Sequence, residues 1–218
     1  MGAKDSLICY ADGDVRDVLA ARPAMDRGAT SALVRRLFAD RSPVEDADGT
    51  LAEDSNPGPD RVFAAVWPGA TIVCTDQVAQ DLPSRIDQRF LAEAAGRTVH
   101  VHAMHSVVDW FAYAAWGPDG QLRRALSVGA DDLVIEDVGE HLPFEEPFWQ
   151  GRYPATDDGD YPLPFHPLEL SEAVLHHVFG FVLEGYPGMS DASPVDPFDV
   201  TLAGFRLGAA KRRWFRRG

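Results

Sequence analysis

Runs of apolar residues predict most of the strands in this chain of 218 residues. SLICY near the N-terminus, RVFAAVWPGATIVCT around a Pro-Gly turn, and TVHVHAMH are all typical of buried strands. The clearest pair is WFAYAAW-GPDG-QLRRALSV, because Pro118 and Gly120 suit a four-residue hairpin loop built on a type I turn. DLVIEDV continues this meander, and FDVTLAGFRL supplies a last strand.

Helical spacing predicts about four α-helices. DVRDVLAARP begins after an N-cap at Asp12 or Asp14, and DRGATSALVRRLFAD repeats apolar residues on one face. We expect LPSRIDQRFLAEAAG to run from an N-cap at Ser84 to a C-cap at Gly96, and LELSEAVLHHVFGFVLEG to end at Gly185. Strands joined by hairpins, with helices before and after them, predict an α+β fold with a largely antiparallel sheet.

The domain prediction is one α+β domain over residues 1–208. Residues 40–60 hold seven acids, one Arg and almost no apolar side chain, so we expect an exposed acidic loop there. The six prolines from Pro143 to Pro167 predict an extended segment that wraps the domain. The last residues, 209–218, form a basic tail with Trp214 and Phe215 between basic pairs, and we expect it to be disordered.

The net charge of -14 excludes one class of function and permits another. Five of the 20 basic residues lie in the tail, so the remaining body is strongly acidic. Nucleic-acid binding needs a basic footprint, and we therefore expect no nucleic acid on the acidic body. An acidic body suits solubility first and a basic protein partner second.

The expected location is the cytoplasm. No stretch approaches 18 consecutive apolar residues, so no transmembrane segment is predicted. No basic segment followed by an apolar one marks a signal peptide near Met1. Cys9 and Cys74 both lie in apolar strand-like runs, which favours buried reduced thiols.

Three histidines, His100, His102 and His105, form the strongest candidate for chemistry. Their spacing resembles the H-x-H-x-D-H motif of the metallo-β-lactamase superfamily, which would imply zinc held between two sheets. Met104 stands where that motif has a metal-ligating aspartate, and a thioether is a poor ligand for such a site.

Strand geometry provides the alternative interpretation of these histidines. Side chains alternate between the two faces of a strand, so His100 and His102 share one face while His105 points to the other. The three imidazoles converge only if the strand breaks near Ala103-Met104. We therefore favour a sheet strand with packed histidines and no cofactor, with a zinc site as the alternative.

Three acidic motifs have simpler explanations than catalysis. DADGTL at 46–51 matches the D-x-D-G-T signature of haloacid-dehalogenase-type phosphatases, but the residues before it do not form the buried strand which that chemistry needs. The acids of ADGDVRD suit helix capping. The later acids among aromatic residues are expected to form a solvated rim; they are Glu136, Asp137, Glu140, Glu145 and Glu146.

The longer motifs carry a resemblance over nearly the whole chain. HAMHSVVDWFAYAAW, VIEDVGEHLPFEEPFWQG, YPLPFHPLEL and FGFVLEG are similar to an uncharacterised actinobacterial family, domain of unknown function 6928. That resemblance implies no activity and transfers no catalytic residue. The hairpin pattern W-x-x-Y-x-x-W-x-x-D-G-x-L-x-R is also loosely similar to bacterial immunity proteins that neutralise toxins.

The expected function follows from the acidic body, the aromatic-rich hairpin and the lack of a complete catalytic constellation. We expect a non-catalytic protein that binds a macromolecular partner, immunity-like or regulatory in role. The alternative hypothesis is a metal-dependent hydrolase that uses His100, His102 and His105. The sequence leaves the oligomeric state open.

Overall fold

Nine strands of the described residues form one antiparallel sheet. The structure is a computed structural model, and it describes residues 3–156, 161–189 and 192–209. The sheet runs in the order β2-β9-β3-β4-β1-β5-β6-β7-β8, and every neighbouring pair is antiparallel. In chain order its members are β1 (Lys4–Ala11), β2 (Val44–Thr50), β3 (Arg61–Trp67), β4 (Ala70–Cys74), β5 (Thr98–His105), β6 (Trp110–Trp116), β7 (Leu122–Gly129), β8 (Leu133–Val138) and β9 (Thr201–Arg206).

Six α-helices, mostly short, accompany the sheet in the described residues, which confirms the predicted α+β class. Two of them are single turns that the apolar pattern did not predict. The helices are α1 (Val15–Ala20), α2 (Arg27–Leu37), α3 (Leu51–Asp54), α4 (Gln88–Ala92), α5 (Glu146–Trp149) and α6 (Pro167–Val174).

Both faces of the central strands are buried, which explains why β1 has an unbroken apolar run from Leu7 to Ala11. Ile8 and Tyr10 pack on the face that α2 and α4 cover, and we call this the α2 face. Leu7 and Cys9 point the other way and pack beneath α1 and the segment after α6. We call this second side the α6 face.

The predicted helix from Ser84 to Gly96 is wrong in its start and its continuity. A 3-10 turn at Pro83–Arg85 comes first, and α4 begins only after Asp87, whose side chain accepts a hydrogen bond from the Arg89 N–H at 3.0 Å. Ser84 caps no helix, because its N–H and hydroxyl both donate to the Glu136 carboxylate, at 3.0 and 2.5 Å.

The helix that was expected to reach Gly185 ends five residues earlier. α6 continues into a wide π-type turn at Leu175–Phe179 and stops at Gly180, which has the left-handed φ of 81° that glycine tolerates. The Glu172 carboxylate then accepts three backbone N–H groups, those of Leu183, Glu184 and Gly185. These bonds hold the chain in a turn where the apolar spacing alone suggested more helix.

The acidic segment 40–60, for which we expected an exposed loop, has regular structure, and Leu51 and Ser55 within it are buried. It contains β2, an edge strand paired with β9, followed by α3. Arginines of neighbouring elements neutralise its acids: Asp46 lies 3.2 Å from Arg206, and Asp48 pairs with Arg27. An edge strand tolerates so many charges because one face and one edge meet water. The basic tail predicted at 209–218 lies outside the described residues from position 210 onward.

Gly204 on β9 lies where β2 approaches most closely. A Cβ added there would stand 2.0 Å from the Ala47 carbonyl oxygen, which is backbone and cannot move aside alone. Gly204→Ala should therefore lower the free energy of unfolding by about 2–3 kcal/mol. Gly13→Ala is the matched control in urea unfolding, because nothing lies within 4 Å of its added Cβ. Equal midpoints for the two variants would contradict the packing described at this edge.

Candidate functional site

The three histidines of β5 do not converge. The strand pairs without interruption with β1 and β6 from Thr98 to His105, so no break occurs at Ala103-Met104. His100 and His102 lie on the α6 face and His105 on the α2 face. Among the described residues, no group of three or more His, Cys, Asp or Glu side chains is placed to hold a metal ion.

His102 belongs to a fully buried polar network. Its Nδ1 lies 2.8 Å from Asp5 Oδ1, and its Nε2 lies 3.1 Å from the Ser171 hydroxyl and 3.2 Å from the Ser171 carbonyl oxygen. Each of the three residues is at most 1% exposed. The network ties β1 and β5 to α6 across the α6 face.

This order of Asp5, His102 and Ser171 has the residue types of a hydrolytic triad but not its chemistry. The Ser171 carbonyl oxygen already accepts from the Leu175 N–H, and His102 Nε2 lies within hydrogen-bond distance of both that oxygen and the Ser171 hydroxyl. The imidazole and the hydroxyl are thus enclosed within the packed face. Complete burial also keeps substrate from the hydroxyl. The geometry supports a role in holding α6 on the sheet.

His100 lies two residues earlier on the same face, in a largely apolar setting. Its Nδ1 is 3.0 Å from the Tyr113 hydroxyl, and its ring packs against Phe179. Burial lowers the pKa of His100 to about 4, and the nearby Asp14 carboxylate opposes that shift only in part. The imidazole is therefore neutral in the folded protein near pH 7.

The lowered pKa of His100 makes stability depend on pH in a defined window. Between pH 6.5 and pH 4 the His100 imidazole binds a proton in the unfolded chain but not in the folded protein, so stability falls as pH falls. Over that window wild type should lose about 2–3 kcal/mol relative to His100→Gln, which lacks the titration. Urea unfolding of both proteins from pH 7.5 to pH 4 measures the difference. Parallel stability curves would contradict it.

One of the acids predicted to form a solvated rim is instead buried. Glu145 is 0% exposed, and both of its oxygens accept from the Arg124 guanidinium, which is itself 1% exposed. Arg124 also donates to Asp137 at 2.5 Å. The sequence carried a signal for this pair, since Arg124 shares the inward face of β7 with Leu126 and Val128.

The other acidic motifs have structural roles. Asp14 caps α1 by accepting from the Arg16 N–H at 2.8 Å, as the sequence predicted. The two aspartates of the DADGT motif lie on the edge strand β2 and are paired with arginines. Cys9 and Cys74 are buried and unpaired, and burial raises the pKa of the Cys9 thiol to about 12.

An open pocket of about 410 Å³ lies on the α2 face at one end of the sheet. It forms where the turn from β5 to β6 and the turn from β7 to β8 come together beside the segment that follows β4. We call it the sheet-end pocket and define it by six of the residues that line it: Asp81, His105, Val108, Trp110, Asp131 and Asp132.

The sheet-end pocket is acidic and lacks internal charge compensation. None of the described residues that line it is Lys or Arg. No described cationic side chain forms an ion pair with Asp81, Asp131 or Asp132. In its wall, His105 Nδ1 and Trp110 Nε1 are buried atoms that have no hydrogen-bond partner among the described residues.

Exposed apolar side chains and strained backbone surround the same pocket. Seven large apolar side chains are exposed in the described part of the chain, and three of them lie on or directly beside the two turns on this side: Val107, Val108 and Leu133. Val108 lines the pocket itself. Leu133 has a φ of 59° and Asp109 a φ of 44°, a conformation that costs a residue with a Cβ about 1–2 kcal/mol. We call the pocket together with Val107, Val108 and Leu133 the sheet-end surface.

The sequence could not predict this surface. Its parts come from residues 81, 105–110 and 130–133, which only the sheet topology brings together. His105 alone was among the predicted site residues, and its position on the α2 face follows from the alternation along β5.

The comparisons with known proteins add a family and no activity. No helix among the described residues is long and apolar enough to cross a membrane. No curated protein and no solved structure matches the chain. A family model matches residues 5–205, and the chain therefore belongs to DUF6928, a family of unknown function.

Proposed function

We propose that this chain is a non-catalytic protein that binds a basic protein partner through its sheet-end surface, in a toxin-neutralising or regulatory role. We place it in the cytoplasm, because reduced thiols such as Cys9 and Cys74 suit a reducing compartment. The observation that carries it is the combination, at one place, of uncompensated acids and exposed aliphatic side chains.

The arrangement has the composition of a protein-binding site. Val107 is 74% exposed and Val108 is 59% exposed, so an apolar centre is available for burial. Carboxylates border that centre, as polar groups border the apolar core of protein interfaces. Residues kept in a strained conformation tend to cluster at functional sites, and Leu133 is both strained and exposed.

The negative charge of this chain favours partners that are positively charged. The chain carries a net charge of -14, and a potential of that sign draws basic partners and repels acidic ones. Because exposed charges are screened within about 10 Å at 0.1 M salt, association through this surface should weaken as salt rises.

The proposal is tested by affinity capture of proteins from a lysate of the source organism. The baits are wild type and two variants that have the same net charge as each other. The first variant removes three pocket charges with Asp81→Asn, Asp131→Asn and Asp132→Asn. The control removes three exposed charges elsewhere with Asp12→Asn, Asp40→Asn and Glu140→Gln.

Wild type and the control should retain the same basic proteins, identified by mass spectrometry, and the pocket variant should lose them. Loss of those proteins from both variants would show that net charge alone attracts them. Equal retention by all three would exclude the sheet-end surface as the binding site.

A further inference from the structure

We infer that the sheet-end pocket receives one arginine side chain of the partner and binds its guanidinium group. This inference rests on the proposed function and names the chemical group that the pocket recognises. It depends on the size of the pocket, the charge of its walls and the aromatic ring inside it.

The pocket has the size of a side-chain site rather than of a flat contact. Its volume of about 410 Å³ falls in the range of pockets that enclose small ligands. Carboxylates reach it from two directions: Asp131 and Asp132 come from the turn between β7 and β8, and Asp81 comes from the segment after β4. Acceptors on two sides suit a donor that has hydrogens on several edges.

The walls contain acceptors and an aromatic ring but no cation. Asp5 borders the pocket, but its carboxylate points to the α6 face, where it meets His102, so the carboxylates that face the pocket are those of Asp81, Asp131 and Asp132. Asn56 adds an amide. Trp110 and His105 stand opposite each other in the register of β5 and β6 and thus line the same side of the sheet. The carboxylates, unpaired among the described residues, and the indole ring are therefore available to a cationic donor.

A guanidinium fits these walls better than the other cations. Arginine presents five N–H donors in a planar fork that pairs with carboxylates and stacks on an aromatic ring, whereas lysine offers a point charge. Indole is also the aromatic ring that attracts a cation most strongly. The described residues do not gather three ligands around a point, as a metal ion would require.

Aliphatic side chains beside the pocket can contact the methylene groups of the arginine and the residues next to it in the partner. Val108 lines the pocket and is 59% exposed, so it can cover the methylene groups of an entering side chain. Lys4, the one described cation opposite His105, lines an adjoining pocket together with Glu53 rather than this one.

Nuclear magnetic resonance of the ¹⁵N-labelled full chain tests the inference without knowledge of the partner. The probe is N-acetyl-arginine methylamide, and the neutral isostere N-acetyl-citrulline methylamide is the control ligand. The indole resonance of Trp110 is assigned from its absence in Trp110→Phe. N-acetyl-lysine methylamide and, separately, MgCl₂ and CaCl₂ are titrated in the same way.

The arginine probe should shift the Trp110 indole resonance along a saturable curve, and citrulline should not. The Asp81→Asn, Asp131→Asn, Asp132→Asn variant should weaken that binding about tenfold or more, while the charge-matched control on Asp12, Asp40 and Glu140 should leave it within twofold. Equal response to lysine, a saturable response to a divalent ion alone, or no response to arginine would each overturn the inference.

The two proposals fail in different ways. If capture depends on the pocket charges but the arginine probe does not bind, the sheet-end surface binds its partner without an arginine in the pocket. If the probe binds but capture is independent of the pocket, the pocket is a site for a small guanidinium compound and the proposed function is wrong.

Discussion

Replacing Glu145 with alanine is expected to lower the free energy of unfolding by about 3–5 kcal/mol, because it leaves a buried charge without its partner. Arg124 is 1% exposed, and two of its nitrogens donate to Glu145, the shorter bond being 2.7 Å. Asp137 would still accept from Arg124, but it is 34% exposed on its side chain and lies on the solvent side of the pair. The loss is large against the 5–15 kcal/mol that stabilises a typical domain.

Chemical denaturation of two further variants separates charge from packing. Arg123→Ala removes the adjacent arginine, whose side chain is 57% exposed and pairs with Asp119, and it should change stability by no more than about 0.5 kcal/mol. The double variant Arg124→Met, Glu145→Leu should recover much of the loss, since an apolar pair often replaces a buried ion pair without penalty. A Glu145→Ala protein as stable as wild type would contradict the buried pair.

Replacing His102 with leucine is the second change with a large expected effect. It should lower the free energy of unfolding by about 3 kcal/mol, because it leaves the buried Asp5 carboxylate without its partner. Asp5 Oδ2 already lacks a partner among the described residues, and removal of the imidazole would take away the one that Oδ1 has there. α6 would also lose its bond from the sheet to Ser171.

His105→Leu is the matched control, because this residue lies on the same strand, faces the other way and makes no hydrogen bond through Nδ1 to any residue that the structure describes. Its unfolding midpoint should stay within about 1 kcal/mol of wild type. The double variant Asp5→Leu, His102→Leu should be more stable than His102→Leu alone. If instead the two single histidine variants unfold alike, the network does not stabilise the packing of α6.

The sequence predicted best those features that depend on neighbours along the chain. Pro118 and Gly120 specify the turn between β6 and β7, and the alternation along β5 separates His105 from His100. Both are local effects of turn geometry and of the two-residue period of a strand. They predicted the hairpin, and they predicted that a continuous strand would scatter the histidines.

Features that depend on distant residues were missed. β2 forms because Arg27, Arg61 and Arg206 neutralise its acids, and its own sequence indicates only a polar segment. α6 ends early partly because Glu172 binds the backbone of the turn that follows. Glu145 was wrongly predicted to be solvated, because its partner Arg124 lies 21 residues away on another element.

The sheet-end surface shows why a site can be harder to predict than a fold. Its side chains are unremarkable where they stand in the sequence, and the valines of HSVVDW were expected only to extend an apolar run. They become informative when the topology leaves them exposed beside three aspartates without an ion-pair partner. Burial and pairing, which the sequence does not show directly, therefore identified the surface.

Amide hydrogen exchange of the chain with and without its captured basic partner tests the central claim most directly. On binding, protection should rise in residues 106–109 and 130–133, which form the two turns of the sheet-end surface and the first residue of β8, while the edge strand β2 should exchange at the same rate as before. Protection confined to β2, or anywhere that excludes these two turns, would contradict the assignment of this surface as the binding site.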